Sequence, residues 1–86
     1  MDAIANIHPL GSLRPGQTGR VVGLDVAVLP DDMEIRLIRM GVDEGAAITL
    51  LHEGPVRRDP LAVKVDGVLV ALRRSEAASI MVALDS

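Results

Sequence analysis

The 86-residue chain contains no cysteine and no Phe, Tyr or Trp. Without cysteine there are no disulfides, thiolate zinc sites, cysteine-ligated iron–sulfur clusters or cysteine nucleophiles. Without aromatics the core is purely aliphatic, and the flat faces that usually grip single-stranded nucleic acid and Pro-rich peptides are missing. A net charge of −3 argues further against a phosphate-tracking surface, so nucleic acid is not an expected partner. No uncharged run reaches the roughly 18–20 apolar residues of a spanning helix, and direct membrane insertion is not expected. The opening MDAIANIHPLGSL has no basic leader and is interrupted by Asn6, His8, Pro9 and Gly11, so it does not read as a secretory signal. The expected location is the cytoplasm.

Reactive equipment is equally scarce. His8 and His52 are far apart in sequence, and neither has a second ligand at helical or hairpin spacing, whereas a metal site needs at least three placed donors. His52–Glu53 is not the zinc-protease motif, because Val56 stands where the second histidine would be. Asp31, Asp32 and Glu34, and then Asp43 and Glu44, have the chemistry of a helix start and a turn rather than of a tight cation site. No GxSxG and no phosphate-binding glycine loop occurs. No catalytic residue, metal site or cofactor is expected.

What the chain does have is aliphatic patterning and well-punctuated turns. Its length fits one unit over residues 1–86, with residues 1–12 a loose start. Pro15-Gly16 suits a type II turn, and residues 17–24 read as a strand that Gly19 and Gly23 allow to bend. LPDDMEIRLIRMG reads as a helix capped by Asp31 or Asp32 and stopped by Gly41 in the left-handed conformation. After the VDEG turn, residues 46–52 form a further strand. Asp66-Gly67, between two β-rich runs, is the preferred sequence of a type I′ hairpin turn. Val65 would then face Val68, Val63 face Val70 and Leu61 face Leu72. RRSEAAS reads as a short helical turn capped by Ser75, before a last strand carrying Ile80, Val82 and Leu84. The expected fold is mainly β: a small barrel of about five strands with one inserted α-helix and a short C-terminal helical turn.

Two surface features point towards a partner. Met33, Leu37 and Met40 form one apolar stripe on the helix, while Ile35 and Ile38 lie roughly 140° or more around it from Leu37 and Met33 respectively. This second pair covers either the N-terminal Ile4, Ile7 and Leu10, or another molecule. The hairpin register also brings Arg57 and Arg58 to the end where Arg73 and Arg74 leave, a basic corner suited to an acidic surface.

LRPGQTGRVV, RLIRMGVDEG and DPLAVKVDGVLVALRRSEAASIMV, in that order over residues 13–84, resemble the FeoA family. Met40 stands where the family more often has Leu and Glu44 where Pro is frequent, and both substitutions preserve a helix end followed by a turn. The resemblance implies an SH3-like barrel and a non-enzymatic role beside FeoB, the membrane GTPase through which Fe²⁺ passes, with any membrane association arising through that partner. It implies structural roles for Leu37, Met40, Gly41 and Gly45, to which the hairpin adds Asp66 and Gly67. The expected partner-binding residues are Ile35, Ile38, Arg39, Arg57, Arg58, Arg73 and Arg74, with a second copy of the chain as the other possible occupant. The alternative is a stand-alone regulatory domain like the C-terminal SH3-like domain of metal-dependent repressors; no helix-turn-helix precedes the barrel pattern here.

Overall fold

Alternating aliphatic residues build one six-stranded sheet in the computed structural model, which describes residues 6–25, 27, 29 and 31–84, Asp31 by its backbone alone. The strands are β1 (Ile7–Pro9), β2 (Thr18–Leu24), β3 (Ala47–Val56), β4 (Asp59–Val65), β5 (Val68–Leu72) and β6 (Ile80–Leu84). Their order is β1-β6-β2-β3-β4-β5, every neighbouring pair antiparallel. Helix α1 (Asp31–Arg39) is inserted between β2 and β3, and one helical turn, α2 (Arg74–Ala77), joins β5 to β6. The mainly β fold with its inserted helix is as expected, with one strand more than the five read from the sequence.

That extra strand is β1, which corrects the loose start for residues 7–12. Ile7, His8 and Pro9 pair with Ala83, Val82 and Met81, and a 3₁₀ turn, Leu10–Ser12, sinks Leu10 completely into the core. Three residues that include a histidine and a proline carry too little alternation to be read as a strand. Ile4 lies outside the described residues.

The turns follow their residue chemistry. Pro15 and Gly16, the latter at φ 95°, form a turn closed by Gln17 N–H donating to Arg14 O at 3.0 Å. Asp66 (φ 48°) and Gly67 (φ 88°) give the positive-φ pair of a type I′ turn, and the register across β4 and β5 is the expected one. Asp66 also ties this tip to the start of β3: its Oδ1 accepts the Ala47 amide at 2.9 Å and its amide donates to Ala47 O at 2.8 Å. Gly23 sits at a break in the β2–β6 register, as bending required. Gly19 serves close approach instead, because a Cβ there would strike the Ala83 carbonyl on β6.

Leu37, Ile48, Leu50, Leu61, Val63 and Ile80 are among the side chains with no exposed surface. Of the three facing pairs expected across this hairpin, Leu61, Val63, Val65 and Leu72 are buried and Val70 is half-buried. Val68, next to the Asp66-Gly67 tip, stays 62% exposed.

Candidate interaction surface

Helix α1 is held by its C-terminal end. Gly41, at φ 92°, is the left-handed stop, with its amide donating to Ile38 O at 3.0 Å while the Val42 amide reaches Leu37 O at 2.9 Å. These paired bonds are a Schellman motif, and its accompanying apolar contact is built from Leu37 and Val42, both fully buried. Gly45, also at φ 92°, occupies the third position of the next turn, closed from Ala46 N–H to Asp43 O at 3.0 Å. Met33 and Met40 pack against the core beside Leu37, as the stripe requires. Asp32 is the second residue of the helix and not its cap; the Asp31 side chain, the other expected cap, lies outside the described residues.

With Leu37 turned inward, helical geometry directs Ile35 and Ile38 away from the core, and they are 55% and 42% exposed. Neither Ile7, half-buried in β1, nor the fully buried Leu10 leaves them covered. Exposed Arg39 shares a shallow groove with Asp32, Ile35, Arg36 and Met40. The result is an apolar strip bordered by two guanidinium groups.

The basic corner forms, with a different division of labour from the one expected. Arg57 and Arg58 are the two central residues of a tight β3–β4 hairpin between paired Val56 and Asp59, with φ of 57° and 61°. Arg57, Arg73 and exposed Val56 line a common hollow. Arg74, expected on the docking patch, is consumed within the fold. Its Nη2 donates to Glu53 Oε2 at 2.7 Å and to Arg58 O at 3.1 Å, its Nη1 to Gly11 O at 2.9 Å, and its backbone amide to Asp59 Oδ1 at 2.9 Å. The acceptors on Gly11 and Glu53 hold it half-buried, whereas the Arg73 side chain is exposed.

Glu76 escaped the sequence reading. This buried carboxylate accepts the Arg73 amide at 2.7 Å through Oε1 and Arg36 Nη1 at 3.2 Å through Oε2. It caps α2 from within, where Ser75 was expected, and it links α1 to the basic corner. A glutamate three residues after Arg73 is the capping-box spacing, the one signal that could have revealed it.

A positive φ costs a non-glycine residue about 1–2 kcal/mol, so the Arg57-Arg58 turn keeps two exposed cations at the expense of stability. Replacing them by Asn-Gly, the preferred I′ pair, is expected to raise stability by roughly 1–2 kcal/mol in thermal or urea unfolding. An unchanged midpoint would show that the turn is not strained.

Among the described residues, no group of three His, Asp or Glu side chains could hold a metal ion, and no helix is long and apolar enough to cross a membrane. A family model for the FeoA domain matches residues 8–84. The chain belongs to the FeoA family. A crystal structure of an iron uptake regulatory protein (FeoA) is 30% identical, with a TM-score of 0.76 over 92% of this chain and 97% of that one. The FeoA of Stenotrophomonas maltophilia complexed with zinc, described as a prokaryotic SH3 domain protein, is 28% identical with a TM-score of 0.75, covering 88% and 93% of the two chains. A manganese-dependent transcriptional repressor reaches a TM-score of 0.81 over 92% of this chain and 42% of its own length; at 22% identity that likeness shows the fold alone. None of the curated proteins matches the chain. In this FeoA chain the motif residues Leu37 and Met40 seat α1, Gly41 ends it and Gly45 shapes the turn that follows.

Proposed function

We propose that this FeoA chain is a non-enzymatic cytoplasmic accessory of ferrous iron uptake that docks on the cytosolic part of an FeoB-like GTPase and modulates its assembly or activity. The observation carrying this reading is that α1 leaves Ile35 and Ile38 exposed beside Arg39 while Leu37, flanked by Met33 and Met40, faces the core. The arginine turn and Arg73 supply a charged margin that speeds encounter with an acidic surface. The description of the Stenotrophomonas relative as a candidate ferrous iron transport activating factor lends support from outside the chain. The regulatory-domain alternative draws on the fold alone.

The test is capture of detergent-solubilised FeoB, with and without guanine nucleotide. Ile35→Ser with Ile38→Ser is expected to weaken binding at least about tenfold, the loss of one modest contact. Thermal stability should hardly move, since both residues are exposed and Ser and Ile have similar helix propensities. Arg57→Glu with Arg58→Glu is expected to slow association at low salt. Wild-type binding by the isoleucine variant would remove α1 from the interface, and an unchanged on-rate would remove the arginine turn.

A further inference from the structure

We propose that the outer edge of β5 is the seam of a homodimer, two copies pairing their β5 strands antiparallel about a two-fold axis at Val70. The sheet has two edges, and they are treated differently. β1 is three residues long and ends in Pro9, which has no N–H to offer, so that edge is blunted. β5 reads VLVAL, five residues without a charge, and Leu69 is 67% exposed on its outer face.

The backbone register completes the case for an open edge. Val65 and Val68 flank a two-residue turn, so residues 68, 70 and 72 direct their amides and carbonyls to β4. Those of Leu69 and Ala71 face the other way, where the sheet has no further strand, and among the described residues no hydrogen bond from a turn or loop reaches them. An unpaired apolar row of this kind is a template for another strand.

Charge selects a second copy in antiparallel orientation. Pairing about Val70 sets Leu69 opposite Ala71 of the other copy, so that both outward-facing residues exchange hydrogen bonds. The same register brings the Asp66-Gly67 tip of one copy against Arg73 of the other, where Gly67 has no side chain to obstruct the guanidinium. Parallel pairing would instead set Asp66 beside Asp66 and Arg73 beside Arg73, which like-charge repulsion opposes.

Sedimentation of the full chain over a range of concentrations tests the seam. The wild type is expected to show a reversible monomer–dimer equilibrium, and Ala71→Pro, which deletes one outward amide, should weaken it at least tenfold. Leu69→Lys, at an exposed site where folding is not at issue, should do the same, with circular dichroism unchanged. Because the chain has no cysteine, Val70→Cys provides a positional check. Cα atoms in a non-hydrogen-bonded antiparallel pair are about 4.5 Å apart, within disulfide reach. Val70→Cys should therefore cross-link on mild oxidation, whereas Val68→Cys, which faces Leu72 of the other copy, should not. A chain that stays monomeric into the millimolar range, a dimer indifferent to Ala71→Pro, or equal cross-linking at both positions would overturn the proposal. So would a monomeric chain whose capture of FeoB is lost in Ala71→Pro, which would assign the edge to a strand of that partner.

Discussion

Leu37→Ala is expected to destabilise the chain by about 2–5 kcal/mol and to lower Tm by roughly 10–30 °C. Leu37 has no exposed surface, and it supplies both the core contact of α1 and the apolar half of its Schellman motif. Met33 and Met40, half-buried on either side, cannot refill its space without leaving the positions they already occupy. For a chain of this size the total stability is on the order of 4–13 kcal/mol, so the variant sits near the threshold of folding. Leu37→Met, which conserves volume, should lose less than about 1.5 kcal/mol and keeps the comparison measurable. Amide hydrogen exchange should accelerate first across residues 31–42. Because Ile35 and Ile38 are displayed only while α1 is seated, FeoB capture should fall together with the helix. A Leu37→Ala chain that melts like the wild type would contradict the burial that positions the whole interaction surface.

The parts of this fold that were legible in the sequence are those governed by local chemistry. Asp66-Gly67 announced its turn and thereby the register of β4 and β5, since the backbone angles needed there favour few residue pairs. Gly41 and Gly45 marked the end of α1 and the following turn for the same reason. The β3–β4 hairpin could not be read, because Arg57-Arg58 offers no turn preference and is held at positive φ by the strands around it. β1 escaped because its pairing with β6 is set by a strand over seventy residues away. The exposure of Ile35 and Ile38 was half legible: periodicity set them apart from Leu37, but only the packed structure shows that Ile7 and Leu10 are spent elsewhere.

Arg73 and Arg74 are adjacent, and by composition interchangeable, yet their alanine variants are expected to behave oppositely. Arg74→Ala should cost about 2–4 kcal/mol in urea or thermal unfolding. Its guanidinium, 32% exposed, is paired with Glu53 and also serves the carbonyls of Gly11 and Arg58. Removing it strands a partly buried carboxylate and two acceptors on three separate elements. The full penalty of a broken buried ion pair, about 3–5 kcal/mol, is reduced here because water reaches both partners. Gly11 belongs to the turn after β1 and Arg58 to the β3–β4 tip, so this one side chain fastens the N-terminal segment to the far end of the sheet. Arg74→Lys should recover only part of the loss, since a single ammonium on a flexible stem cannot reproduce the planar fork that serves three acceptors at once. Arg73→Ala should stay within about 0.5 kcal/mol of the wild type, because the fold uses its backbone amide and carbonyl and not its exposed side chain. Equal melting of the two variants would place both arginines at the surface, and the internal anchoring of β1 and the arginine turn would then need another cause.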